Sequence, residues 1–91
     1  RSVVRVKDFN EATQLVNDHE YGNGVSIYTR DGDVGRTFAS KIKVGMVGIN
    51  TGLISTEVAP FGGVKQSGIG REGSHHGIED YLEMKYICMS I

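Results

Sequence analysis

The chain has 91 residues and a formal net charge of −1, from ten Lys and Arg against eleven Asp and Glu, which bounds it to one small domain or a piece of a larger one. A near-neutral chain with no basic run lacks the electrostatic signature of a nucleic-acid binder, and no apolar run approaches the roughly 18 residues of a membrane span. The single cysteine excludes an internal disulfide and favours a reducing, cytosolic-type compartment.

Two strands flanking one helix are predicted at the start of the chain. Residues 2–6 are β-branched and bounded by charge, which indicates a short strand. Asp8 followed by Glu11 is a variant of the capping box, so a helix should begin there and run to about Asn17. Residues 25–29 alternate apolar and polar side chains after a glycine turn and predict the second strand.

The next segment predicts a second helix and a third strand. Asp31 offers a helix cap, and apolar side chains then recur at helical spacing to about Val44. This apolar stripe consists of Val34, Phe38 and Ile42. Gly45 suits the left-handed position that ends a helix, and residues 46–49 form a strand that is apolar on both faces and so central in a sheet. The β-α-β-α-β order predicts an α/β fold, a layer of parallel strands joined by right-handed crossovers.

A glycine-rich loop dominates the second half of the chain. Residues 50–70 show no periodicity, and loops of that length without secondary structure are commonly functional or disordered. A short helix should follow, capped at Ser74, and the alternation of side chains from Lys85 to Ile91 predicts a last strand. The apolar face of the short helix consists of Ile78, Tyr81 and Leu82.

The candidate chemical motifs are weak when taken alone. Residues 68–73 match the G-x-G-x-x-G pattern of dinucleotide sites, but they follow a loop rather than a strand, so we expect no cofactor there. Cys88 lies between apolar neighbours and is expected to pack rather than react. His75 and His76 are adjacent and cannot chelate one ion together, and His19 lacks the second histidine of a zinc motif. The residues alone therefore predict no catalytic residue and no metal site.

The loop nevertheless resembles a known family. The run PFGGVKQSGIGRE at residues 60–72 is similar to the stretch near the C-terminus of aldehyde dehydrogenases. Residues 20–22 (EYG), 27–31 (IYTRD) and 45–50 (GMVGIN) fit the same family in the same order. The resemblance therefore covers essentially the whole chain, and it implies a C-terminal, α/β part of the catalytic domain of such an enzyme.

The residues beside that run narrow the resemblance. Residues 50–59 (NTGLISTEVA) and 73–86 (GSHHGIEDYLEMKY) look like succinate-semialdehyde dehydrogenases. Residues 21–26 and 45–48 look somewhat more like methylmalonate-semialdehyde dehydrogenases, which stay an alternative. We favour the first because the loop is the part that would face the substrate.

The resemblance implies an oxidation that uses NAD or NADP and a cysteine thiolate. In the family the nucleophile, the water-activating glutamate and the dinucleotide-binding domain all precede the region that this chain resembles. We therefore expect no catalytic residue, no bound cofactor and no aldehyde oxidation from these residues alone. Two positions carry over as substrate-binding. Ser55 resembles the serine that hydrogen-bonds the distal carboxylate of succinate semialdehyde, and Phe61 resembles the aromatic that lines the aldehyde tunnel.

The resemblance also predicts how the chain is divided and which partners it contacts. Residues 1–84 would belong to the catalytic domain, with the substrate loop at 50–70, and residues 85–91 would form an oligomerisation strand that adds to a second copy. The expected partners are a small aldehyde and further copies of the chain, in the cytoplasm or the mitochondrial matrix, with no nucleic acid and no membrane. Because the sequence opens on Arg1 rather than Met, we expect it to be cut from something longer. The alternative is a stand-alone, non-catalytic α/β binding or assembly module.

Overall fold

The computed structural model describes residues 2–91, and in them there are two α-helices, four short strands and one 3₁₀ helix. The helices are α1 (Phe9–Asn17) and α2 (Gly32–Lys41), and the 3₁₀ helix is Gly77–Tyr81. The strands are β1 (Tyr21–Gly22), β2 (Gly24–Ile27), β3 (Met46–Ile49) and β4 (Val64–Lys65). No helix among these residues is long and apolar enough to cross a membrane.

A single β-α-β unit forms the centre of the structure. β2 and β3 pair in parallel over all four residues of each strand, and α2 is the crossover between them. α2 begins where the cap predicts, because Asp31 Oδ1 accepts hydrogen bonds from the N–H groups of Asp33 at 2.9 Å and Val34 at 3.1 Å. The prediction of a parallel sheet within a mixed α/β structure is thus confirmed.

The first helix also begins and ends as predicted. Asp8 Oδ1 accepts from the N–H of Glu11 at 2.9 Å, and the Glu11 carboxylate accepts in return from the N–H of Lys7 at 2.8 Å. The forward bond of the capping box is therefore present, but the return bond goes to Lys7, the residue before the cap, and not to Asp8 itself. α1 packs on α2 through Phe9 and Phe38, whose rings meet edge to face with centroids 6.1 Å apart.

The hydrophobic core of the described residues is small. Its buried apolar side chains are Phe38 and Ile42, with 5% and 7% of their surface exposed. The radius of gyration is 17.7 Å, whereas a compact domain of this length has about 12 Å. Much of the apolar surface of residues 2–91 therefore faces solvent instead of closing on itself.

Two of the predicted strands are absent, which corrects the predicted layer. Residues 2–6 belong to no sheet, and Val3 and Val4 are 97% and 72% exposed. Residues 85–91 likewise pair with nothing in the described chain, and their side chains are exposed. The backbone N–H and C=O groups of a strand need hydrogen-bond partners on a neighbouring strand. A β-branched composition does not by itself provide that neighbouring strand. Of the β-α-β-α-β layer, this structure contains the β2-α2-β3 unit, in which β3 is paired on one edge only.

The end of α2 differs from the prediction. The helix ends at Lys41 and not near Val44, because Ile42 has extended backbone with φ −81° and ψ 131°. Gly45 is therefore not the left-handed end of this helix. Glycine is required there for another reason, since a Cβ atom at Gly45 would collide with the backbone carbonyl of Gly62.

The short helix after the loop is a 3₁₀ helix that has no side-chain cap. Ser74, the predicted cap, lies in the turn before it, where its Oγ accepts from the N–H of His76 at 3.1 Å. The predicted apolar face is also largely exposed to solvent and is not part of the buried core of residues 2–91. Its members are Ile78, Tyr81 and Leu82.

Candidate functional site

Two short pairings hold the glycine-rich loop, one to β1 and one between the ends of the 60–72 run. β4 pairs antiparallel with β1, which places Lys65 opposite Tyr21. Phe61 and Glu72 exchange two backbone hydrogen bonds of 2.8 Å each, in an isolated antiparallel bridge. The loop thus contains more structure than its sequence predicts, and the two ends of the 60–72 run lie side by side.

Arg71 and Asp80 tie this loop to the 3₁₀ helix. The guanidinium of Arg71 donates to the carbonyls of Gly63 at 2.8 Å and Gly70 at 2.7 Å. Its backbone N–H donates to the Asp80 carboxylate at 2.8 Å. Glu72, the bridge partner of Phe61, directly follows Arg71 in the chain. The position of the Phe61 ring therefore depends on the contacts of Arg71, including its hydrogen bond to Asp80.

Ser55 and Phe61 line one open cleft of about 370 Å³. Ser55 is exposed and Phe61 is half-buried. The other lining residues are Thr56, Glu57, Glu72 and Gly73. The fold therefore brings together the two residues that the resemblance singles out, and their contact with a substrate stays a prediction.

Sequence reasoning missed the two carboxylates of this cleft, Glu57 and Glu72. Glu72 is the last residue of the 60–72 run, a signal that could have drawn attention to it, whereas Glu57 carries no such signal. The bridge brings Glu72 beside Phe61, whereas Glu57 is only two residues from Ser55 in the same segment. Their negative charges repel an anion, so the two glutamates weaken the binding of a carboxylate ligand unless a cationic side chain offsets them.

Residues 68–73 do not fit a dinucleotide despite their G-x-G-x-x-G pattern. A phosphate site of this kind needs free N–H groups at the start of an α-helix. Here the N–H of Arg71 donates to Asp80 and that of Glu72 donates to Phe61, and the helix that follows is a 3₁₀ helix of five residues. Residues 68–73 therefore do not form a phosphate site of this kind.

The other candidate residues form no reactive cluster. Cys88 is exposed, so the prediction that it packs among apolar neighbours is wrong for this structure, in which residues 85–91 join no sheet. The rings of His75 and His76 lie 3.9 Å apart on the surface. Within residues 2–91 no three His, Cys, Asp or Glu side chains are grouped so that they could hold a metal ion.

A second groove, of about 520 Å³, shares no lining residue with the cleft. Most of its wall is apolar and comes from the N-terminal segment, α1 and the strand region. Its large apolar lining residues are Val4, Leu15, Val16, Tyr21, Val25 and Val44. Apolar surface of this kind is usually covered by another protein segment or a binding partner.

Comparison with known proteins identifies one family. The model of the Aldehyde dehydrogenase family matches residues 1–87. Over 91 residues the chain is 57% identical to a glutarate-semialdehyde dehydrogenase of Pseudomonas putida, covering 98% of this chain and 18% of the relative. Over the same length it is 52% identical to an NADP(+) succinate-semialdehyde dehydrogenase of Escherichia coli, with the same two coverages of 98% and 18%.

A solved structure agrees with these sequence matches. The fold is similar to that of succinate-semialdehyde dehydrogenase from Burkholderia pseudomallei, with a TM-score of 0.84 and 56% identity. The match covers 90% of this chain and 17% of that one. The chain thus spans under a fifth of the length of the relatives it matches.

Proposed function

This chain belongs to the aldehyde dehydrogenase family, and we propose that it is part of an enzyme that oxidises a short aldehyde with a carboxylate at its far end. Succinate semialdehyde is the substrate that we propose first. The observation that carries this proposal is that Ser55 and Phe61 line the same cleft. The thiolate, the base and the site for NAD or NADP would come from the remainder of the longer protein.

The two cleft residues suit the two ends of such a substrate. The Ser55 hydroxyl would donate to the distal carboxylate, and hydrogen bonds to an ionised acceptor are stronger than those between neutral groups. The ring of Phe61 would form an apolar wall near the aldehyde and keep stray water from the reacting carbon. The net reaction consumes the aldehyde, one water and oxidised nicotinamide, and it yields the carboxylic acid, reduced nicotinamide and one proton.

The place of the chain within the longer enzyme is part of the proposal. The resemblance of residues 60–72 supports a C-terminal position, with residues 1–84 in the catalytic domain and residues 85–91 as an oligomerisation strand. The uncovered apolar groove supports it too, since other segments of the enzyme would bury those side chains. The compartment, cytoplasm or mitochondrial matrix, stays a prediction.

Glutarate semialdehyde is the second candidate substrate. A relative with that name is 57% identical to this chain. The two aldehydes differ by one methylene, which a binding pocket distinguishes by only about 10- to 200-fold. Either aldehyde leaves the proposed roles of Ser55 and Phe61 unchanged, because both end in a carboxylate.

The test is a substrate series on the purified longer protein. Succinate semialdehyde, glutarate semialdehyde and butanal are each offered with NAD or NADP, and reduced nicotinamide is followed by its absorbance. We expect kcat/KM for one of the two semialdehydes to exceed that for butanal by at least about tenfold. Butanal has no carboxylate to accept a hydrogen bond from Ser55. Equal values for all three would contradict the carboxylate site. Oxidation of none would favour the non-catalytic module.

A further inference from the structure

One apolar side chain of the substrate loop is seated on the sheet next to the cleft. Ile54 is half-buried in a loop segment whose neighbours on both sides, Leu53 and Ser55, are exposed. The seat is formed by two glycines, Gly24 in β2 and Gly48 in β3. A Cβ atom at Gly24 would lie 2.8 Å from Ile54 Cδ1, and one at Gly48 would lie 2.8 Å from Ile54 Cγ2.

The strand register explains how two glycines so far apart in the sequence form one seat. β2 and β3 are parallel, with Gly24 opposite Met46 and Ser26 opposite Gly48. Alternate residues of a strand point to the same face, so these four positions share one face of the sheet. Two of the four lack a side chain, which leaves a depression that the branched side chain of Ile54 fills.

Few other contacts hold this part of the loop. Thr51 Oγ1 contacts the N–H and the carbonyl of Leu53 at 3.2 Å, and the Glu57 carbonyl accepts from the N–H of Ser74 at 2.9 Å. In residues 2–91 Ser55 itself takes part in no hydrogen bond. The position of its hydroxyl is therefore set by the chain on either side, and the half-buried residue nearest to it in the sequence is Ile54.

We infer that Ile54 is a positioning residue for the Ser55 hydroxyl, acting through the seat on Gly24 and Gly48. This inference rests on the proposed function, because it makes the seat responsible for the position of the hydroxyl that would contact the substrate carboxylate. Adjacent Cα atoms are about 3.8 Å apart, so a displaced Ile54 moves Ser55 with it. A hydrogen bond tolerates only a few tenths of an ångström, whereas the apolar wall of the cleft is less sensitive.

A size exchange in the longer enzyme tests this inference. Gly24→Ala adds the Cβ atom that meets Ile54 Cδ1, and Ile54→Val removes that Cδ1 atom and keeps Cγ2. We expect Gly24→Ala to raise KM for succinate semialdehyde by about tenfold, a partial loss of one charge-assisted hydrogen bond, with kcat and the KM for butanal changed by less than about twofold. Adding Ile54→Val should return KM to within about twofold of the wild type.

Gly48→Ala is the matched control for the rescue. A Cβ atom there would meet the carbonyl of Thr51 at 2.6 Å and the Ser26 Oγ at 3.0 Å, as well as the Cγ2 atom that valine retains. Ile54→Val should therefore not rescue Gly48→Ala. Equal rescue of the two glycine variants, or an equal rise of KM for the charged and the uncharged aldehyde, would overturn the inference.

Two further measurements test the inference if Gly24→Ala fails to fold or if the wild-type enzyme is inactive. If Gly24→Ala fails to fold, Ile54→Ala empties the same seat and should give the same selective rise in KM; no rise would overturn the inference. If the wild-type enzyme oxidises no aldehyde, the proposed function fails, and crystal structures of Gly24→Ala and of the double variant decide the seat separately. Ser55 should be displaced in the first and restored in the second; Ser55 unmoved in Gly24→Ala would overturn the inference.

Discussion

The side-chain amide of Asn50 forms two hydrogen bonds with the backbone of Thr29. Its Oδ1 accepts from the Thr29 N–H at 2.8 Å, and its Nδ2 donates to the Thr29 carbonyl at 2.9 Å. The parallel pairing stops at Ile27 and Ile49, and the backbone of Asn50 is left-handed with φ 58°. The amide thus continues the pairing past the end of the strands, at the point where the glycine-rich loop leaves β3.

We expect Asn50→Asp to destabilise the longer protein by about 1–2 kcal/mol. Aspartate has the same shape, but it loses the donor to the Thr29 carbonyl and places a negative charge against that oxygen. The measurement is the thermal or urea unfolding midpoint. Asn10→Asp is the matched control, because Asn10 is exposed in the first turn of α1, where a carboxylate is favourable. Equal effects of the two changes would contradict the role of Asn50.

The proposed contact of Ser55 predicts a substrate-dependent effect of Ser55→Ala. Losing one hydrogen bond to a charged carboxylate costs roughly 1.5–3 kcal/mol, or about 10- to 150-fold. KM for succinate semialdehyde should rise by that factor, while KM for butanal stays nearly constant. Thr56→Val is the control, since Thr56 lines the same cleft with a second hydroxyl. A larger effect at Thr56 would move the carboxylate contact there, and equal effects of Ser55→Ala on both aldehydes would remove it.

Two glycine substitutions should have opposite effects on stability. Gly70 has φ +82°, and a Cβ atom there would lie 2.6 Å from the Asp80 carboxylate that holds Arg71. Gly70→Ala should therefore cost about 1–3 kcal/mol. Gly32 begins α2 with nothing within 4 Å of a Cβ atom, so Gly32→Ala should be neutral or stabilising by up to about 1 kcal/mol. Thermal unfolding of both variants checks this, and a destabilising Gly32→Ala would contradict it.

The isolated 91-residue chain is expected to self-associate through residues 85–91. These residues pair with nothing in the described structure and are exposed, and they include Tyr86, Ile87 and Met89. Free strand-like segments of this kind invite pairing with another copy. Sedimentation of the chain with and without residues 85–91 measures the effect. A monomer in both cases, with unchanged thermal stability, would count against an assembly role.

The isolated chain is also expected not to oxidise aldehydes. Ser55 and Phe61 can line a substrate-binding cleft, but neither can accept a hydride, and no base within residues 2–91 is hydrogen-bonded to Ser55 to activate its hydroxyl. The assay follows nicotinamide reduction by the purified chain with succinate semialdehyde. Turnover that is lost in Cys88→Ser would contradict the expectation directly, because Cys88 is the only thiol in the chain.

The sequence by itself determined the elements whose hydrogen bonds close within a few residues. α1 and α2 begin where Asp8 and Asp31 predict, because a cap bonds to N–H groups two or three positions away. The sequence also determined the family, since the run at 60–72 and its ordered flanking motifs are read without any structure. Ser55 and Phe61 could be named from that resemblance alone.

Only the tertiary structure decided which segments have partners and which side chains share a cleft. Residues 2–6 and 85–91 have the composition of strands but no strand partner within residues 2–91, whereas the short strand β4 pairs with β1, which lies much earlier in the chain. The glutamates of the cleft and the seat of Ile54 likewise depend on contacts between distant segments. Local periodicity shows which face of a segment is apolar. The segment that packs against this face lies elsewhere in the chain, so only the folded structure identifies it.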